Sequence, residues 1–152
     1  ILKNIIDGVV LQLHNIANEK NINLTSLVGD DVSIFVDIYT ITIVFRNLIS
    51  NAIKFTKNGG EVKVYTKECE KENDKYILIV VEDSGVGMNK ENLSKLFSAD
   101  TNFSKSGTNG EKGTGLGLII CKEFVEKNGG KIEVESEEGV GTKFKVYLGL
   151  TE

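Results

Sequence analysis

Three short patches of this chain carry side chains that could do chemistry together. The first is Asn47-Leu48-Ile49-Ser50-Asn51-Ala52-Ile53-Lys54-Phe55, the second Asp83-Ser84-Gly85-Val86-Gly87-Met88, the third Gly113-Thr114-Gly115-Leu116-Gly117-Leu118. In a helix, Asn47, Asn51 and Lys54 fall at i, i+4 and i+7 and share one face. An amide oxygen is a neutral hard ligand, suited to a Mg²⁺ already held mostly by triphosphate and water. Lys54 can neutralise phosphate charge as a point cation. Asp83 closes an apolar run, where a carboxylate is costly unless it meets a donor. The exocyclic amine of adenine is such a donor, which favours ATP over GTP weakly. Gly85 and Gly87 let the backbone bend close to a base, and Met88 can pack on its flat face. Gly113, Gly115 and Gly117 lead into a helix whose free amides and dipole attract phosphate. Each patch has a plainer reading: a solvated helix face, an Asp-Ser-Gly turn, a glycine hinge. Together they are the parts of a nucleotide site.

The elements that must position these residues follow from periodicity. Leu2, Ile5, Ile6, Val9, Leu13, Ile16 and Ala17 recur at helical spacing. The stretches 21–27 and 33–36 read as short strands around a Gly29-Asp30 turn. Asp37 is placed to cap a helix that runs to about Thr56, with Ile41, Phe45, Leu48 and Ala52 on its buried stripe. Asn58-Gly59-Gly60 ends it. The stretch 61–67 alternates as a strand, and 76–81 is apolar enough for a central one. A charged turn containing Cys69 is expected between them. Residues 89–97 fit a short helix. The stretch 98–112 has no period and is rich in Ser, Thr, Asn and Gly; a loop of that length serves a function or moves. A helix over 115–128 is stopped by Gly129-Gly130, and strands over 131–136 and 143–148 form a hairpin. The expected fold is α+β: a mixed sheet covered on one face by helices, a two-layer α/β sandwich.

At 152 residues the chain reads as one domain. Its net charge of -4 argues against general affinity for nucleic acid or an anionic membrane. No apolar run approaches the roughly 20 residues that span a bilayer. The two cysteines lie far apart with no metal-ligand spacing, as expected of reduced thiols in a cytoplasmic domain. Proline is absent, so prolyl isomerisation should not slow folding. The chain begins at Ile1 and is expected to be a piece of a longer parent.

In order and content the patches resemble the Bergerat-type ATP-binding fold shared by gyrase, a heat-shock chaperone, sensor histidine kinases and mismatch-repair ATPases. Asn47 to Phe55 resembles that superfamily's N box, Asp83 to Met88 its first glycine box, Leu96-Phe97 its F box and Gly113 to Leu118 its second glycine box. Gly129 to Ser136 and Gly141-Thr142-Lys143-Phe144 match its tail. The wording of the N box is most similar to the catalytic domain of two-component sensor histidine kinases. The resemblance implies Asn51 as Mg²⁺ ligand, Asn47 close to phosphates and metal, Lys54 on phosphate and Phe55 against adenine. It implies that Asp83 takes the adenine amine with a water held by Thr142. Gly85, Gly87, Met88, Gly113, Thr114, Gly115, Leu116, Gly117 and Leu118 would shape the pocket and a mobile ATP lid over about 98–113, in which Lys105 could reach phosphate.

Members that hydrolyse ATP carry a water-activating glutamate where this chain has Asn47, and an amide cannot accept that proton. The resemblance therefore implies transfer of the γ-phosphoryl group to a histidine on a separate dimerisation hairpin, then through a response regulator receiver domain. His14 is followed by Asn15 and Ile16, without the acidic neighbour of an acceptor, and reads as a structural or surface residue. The hairpin is expected upstream in the parent. The fragment is expected to be monomeric, its parent a homodimer, either soluble or membrane-anchored. The alternatives are a same-fold ATPase or serine kinase, and a non-catalytic nucleotide-binding module. Lys57 stands where the family usually has proline.

Overall fold

The computed structural model describes residues 2–97, 107–108 and 116–150. In chain order they form α1 (Leu2–Glu19), β1 (Asn23–Leu27), α2 (Ile38–Lys54), β2 (Glu61–Lys71), β3 (Asp74–Asp83), α3 (Lys90–Lys95), α4 (Gly117–Lys127), β4 (Lys131–Glu137) and β5 (Gly141–Gly149). The strands make one five-stranded sheet in the order β1-β2-β3-β5-β4. β1 runs parallel to β2, and the remaining pairs are antiparallel. The mixed sheet with helices is the sandwich expected from the periodicities.

Alternation sets the two faces. Val62 and Val64 of β2, Ile77, Ile79 and Val81 of β3, and Phe144, Val146 and Leu148 of β5 point one way. They join the buried stripes of α1 and α2, including Leu2, Ile6, Val9, Phe45, Leu48 and Ile49, in one core. Cys121 and Val125 of α4 complete that layer. The opposite face is charged. Lys63 and Lys143 flank Glu82 at 3.2 Å each, and Lys131 pairs with Glu133 at 2.8 Å.

α2 begins where its sequence says it should. Asp37 is extended, and its carboxylate accepts from Thr40 N at 2.9 Å, satisfying an amide that the helix cannot. The β2–β3 connection differs from expectation. Cys69 lies within β2 opposite Tyr76, and the turn is Glu72-Asn73, both with positive φ. That conformation suits a two-residue hairpin, so both strands extend beyond the apolar run that announced them. The stretch 33–36 makes no strand of its own: Ile34 forms one bridge with Leu150. β1 finds its partner in β2 by parallel pairing, so no 21–36 hairpin forms. Phe35 stays 89% exposed while Val32, Ile34 and Val36 pack against the core.

Candidate functional site

The first glycine patch is built at the end of β3. Asp83 is the last residue of that strand and faces inward, opposite Thr142 of β5, which in turn stands opposite Ser136 of β4. Three polar side chains thus form a cross-strand row at one end of an otherwise apolar face. Asp83 is buried, and its Oδ1 accepts from Gly85 N at 2.8 Å and Thr142 N at 3.3 Å. Burial pushes its carboxyl up to about 6; the two backbone donors oppose the rise, and the neighbouring Glu82 charge adds to it. Among the described residues no donor reaches Oδ2, yet no buried side-chain oxygen is left without a partner. Oδ2 is therefore not fully sealed from solvent.

Close approach explains two glycines. A Cβ on Gly85 would lie 2.4 Å from Phe55 O, and the adjacent Val86 N donates to that same carbonyl at 3.1 Å. The exit of α2 is therefore stitched to the exit of β3. Gly87 has φ +67°, and a Cβ there would lie 2.0 Å from Glu137 O. The β4–β5 hairpin supports this loop from behind: Gly139 N donates to Val86 O at 2.7 Å, and Met88 N donates to Ser136 Oγ at 2.8 Å. Ser136 also bonds the Thr142 hydroxyl at 2.8 Å. Met88 packs half-buried against the core.

α2 forms the other wall. Asn47, Asn51, Lys54 and Phe55 are half-buried, between the core stripe and solvent. Lys54 Nζ stands 5.1 Å from the Phe55 ring centroid, within cation–π range. The start of α4 meets this wall at Asn47. A Cβ on Gly117 would be 3.7 Å from both Cγ and Oδ1 of Asn47. One turn further lies the fully buried Cys121, whose Sγ donates to Val44 O at 3.6 Å and which Asn47 neighbours. Burial pushes this thiol up to about 12, with the Asn47 bond opposing the rise, so it stays protonated at neutral pH.

The first patch is thus joined to the second through Phe55, and to the start of α4 through Asn47. Leu116 is exposed, and Leu118 is partly buried against the core. Gly113, Thr114 and Gly115 lie outside the described residues, as does Lys105 and the rest of the expected lid apart from 107–108. Of those two residues, Thr108 is fastened to α2: its amide donates to Lys54 O at 3.0 Å and its hydroxyl to Thr56 O at 3.0 Å. His14 is exposed on α1.

Periodicity could have singled out Ser136, a polar residue in phase with Ile132 and Val134 on the inward face of β4. Nothing in the sequence marks Lys20, which is buried and reaches the end of α2. Among the described residues no three His, Cys, Asp or Glu side chains gather as a metal centre. A cation here would lean on amide oxygens and on oxygens that its ligand brings. The row of charges on the outer face borders a hollow of about 540 Å³, lined by Lys63, Glu82, Glu135 and Lys143 and, at the strand ends, by Asp83, Ser136 and Thr142. Glu82 is held below the ordinary carboxylate range there, because the hydrogen bonds and charges of Lys63 and Lys143 outweigh its burial. Those charges satisfy one another, and the hollow they border reaches Asp83 at the end of β3.

Residues 36–152 match the family described as histidine kinase-, DNA gyrase B-, and HSP90-like ATPase. The sensor histidine kinase GacS of Pseudomonas protegens is 34% identical over 151 residues, covering 98% of this chain and 16% of that protein. The sensor protein SrrB of Staphylococcus aureus is 40% identical over 105 residues, covering 69% of this chain and 17% of its own length. The chain therefore spans about a sixth of each of these curated relatives. Among solved structures, the nucleotide-free catalytic domain of histidine kinase ThkA superposes with a TM-score of 0.80 at 29% identity, covering 97% of this chain and 91% of that one. ThkA in complex with a response regulator matches with a TM-score of 0.76 at 26% identity, covering 99% of this chain and 40% of that one. No helix among the described residues is long and apolar enough to cross a membrane.

Proposed function

The chain belongs to the histidine kinase-, DNA gyrase B- and HSP90-like ATPase family, and we propose that it is the catalytic domain of a sensor histidine kinase, binding Mg-ATP and presenting its γ-phosphate to a histidine on the parent's dimerisation hairpin. The observation that carries this reading is a buried Asp83 whose Oδ1 is held by two backbone amides while Oδ2 keeps some access to solvent, set beside a loop that Gly85 lets approach the end of α2. An adenine amine satisfies that oxygen. Phe55 and Met88 would flank the base, Met88 from a loop that Gly85 and Gly87 let pack closely against Phe55 O and Glu137 O, and Thr142 N donates to the carboxylate from the adjacent strand.

The phosphates would then run along α2 towards the start of α4. Lys54 contributes positive charge there, and the first-turn amides near Leu116 and Gly117 contribute donors. Asn51 would hold Mg²⁺, with Asn47 beside it. When bound, the ion neutralises phosphate charge and orients the triphosphate. The chain's own part is positioning and exclusion of water, with no covalent intermediate. Asn47 supplies no general base, so ATP hydrolysis by this chain alone would be slow. The whole chain would act as one domain on the cytoplasmic side, its product passing to a receiver domain.

Calorimetry on the chain and on Asp83→Asn tests the pocket. The parent should bind Mg-ADP, and the variant, whose amide repels the amine, should lose at least about tenfold in affinity. Equal affinities would remove Asp83 from the site. Phosphohistidine formed on a hairpin supplied in trans tests the transfer.

A further inference from the structure

Lys20 is a buried cation with an unusual set of partners. It follows α1 directly and is 5% exposed. Its Nζ donates to Ile53 O at 2.9 Å, Lys54 O at 3.2 Å and Thr108 Oγ1 at 2.8 Å. All three are oxygen acceptors of the kind an ammonium needs when it is buried. Two of them are carbonyls of the last turn of α2, where the helix dipole is negative; Ile53 O also accepts from Thr56 N at 3.3 Å and Lys54 O from Thr108 N at 3.0 Å. The main chain reinforces the contact, since Lys20 O accepts from Gly59 N at 3.0 Å in the turn that follows α2. A charge this deep is retained only where its partners are fixed, because an unpaired buried ammonium is costly.

The turn that Lys20 holds is the one from which Lys54 and Phe55 project, and Phe55 O is the anchor of the loop after Asp83. Thr108, the third partner, is itself bonded to Lys54 O and Thr56 O. Lys20, the α2 exit and Thr108 are therefore linked by hydrogen bonds at the end of the helix that carries Lys54 and Phe55.

We propose that Lys20 is a positioning residue of the nucleotide site, pinning the exit of α2 to Thr108 so that affinity for adenine nucleotide depends on a side chain that never touches the ligand. The inference rests on the nucleotide-binding reading above. Its consequence is energetic coupling: Lys20 and Thr108 should act on binding as one unit.

The test is a double-mutant cycle on the affinity for Mg-ADP, measured by calorimetry well below each variant's melting temperature. Lys20→Met and Thr108→Val should each weaken binding, on the order of tenfold for the lysine, because its removal deletes three charge-assisted hydrogen bonds at the α2 exit. The double variant should be scarcely weaker than Lys20→Met alone, and Thr108→Ser, which keeps the hydroxyl, should bind like the parent. If Lys20→Met fails to fold, the contrast between Thr108→Val and Thr108→Ser decides. Lowered melting temperatures with unchanged affinities, or strictly additive losses, would make Lys20 a structural lysine and overturn the proposal. If the unaltered chain binds no adenine nucleotide, the functional reading falls and takes this one with it; if it binds and the variants match it, only this one falls.

Discussion

Asp83 carries opposite consequences for folding and for binding. Its carboxyl is raised from 3.8 to about 6, so the folded chain holds its proton more tightly than the unfolded chain does. The stabilisation this brings is full below about pH 4 and is lost as pH rises through about 6, a difference of about 3 kcal/mol. Asp83→Asn should accordingly melt no lower than the parent at pH 8, and calorimetric unfolding would show it. On the proposed reading binding has the reverse sign, because the adenine amine would need the carboxylate. Affinity for adenine nucleotide should be level near pH 8 and drop as pH falls from 7 to 5, with Asp83→Asn weak and flat throughout. A profile that does not bend near 6 would remove the carboxylate from recognition. Asn51 acts on the other end of the ligand. Asn51→Ala should leave Mg-free ADP binding within about threefold of the parent while abolishing Mg²⁺-dependent phosphotransfer to the hairpin, since it deletes the proposed ion's amide ligand and nothing near Asp83. Full transfer by that variant would reassign the metal.

Among the elements, the β4–β5 hairpin does more than close the sheet. Its turn supplies the surface against which the Asp83–Met88 loop is moulded, through Gly139 N to Val86 O and Ser136 Oγ to Met88 N. Gly87 is the tightest point of that contact. A methyl group there would meet Glu137 O at 2.0 Å with φ already at +67°, and a backbone carbonyl cannot rotate away as a side chain can. Gly87→Ala should therefore cost about 2 kcal/mol or more of stability and weaken nucleotide binding with it, measurable by denaturant unfolding and calorimetry on one preparation. Gly59 and Gly139, which also have positive φ but meet nothing within 4 Å, are governed by turn conformation alone. Helix α2 shows the same division of labour. Its buried stripe holds it to the sheet, its Asp37 cap fixes where it starts, and its polar face is left over for the site.

For the whole molecule, much was legible in one dimension because periodicity is a local signal. Helices α1, α2 and α4, the Asp37 cap, the central β3 and the closing hairpin all follow from spacing and turn residues. So does the choice of Asn47, Asn51, Asp83 and the glycines, since helix facing and strand ends can be counted along the chain. The strand expected over 33–36 failed because pairing is a choice between distant partners, and β1 had a better one in β2. The Cys69 turn was misplaced because apolar content, not hydrogen bonding, had marked the strand limits. Residue types and intervals thus determined the layer architecture and the chemistry on offer, and the resemblance of the motifs pointed to the family. Only the folded chain decided that Phe55 O locks the loop after Asp83, that Gly117 and Cys121 face Asn47, that Ser136 and Thr142 brace the carboxylate, and that Lys20 lies beneath the end of α2. Those are contacts between residues far apart in the chain, set by packing and by the need to satisfy buried polar groups, and no local pattern encodes them.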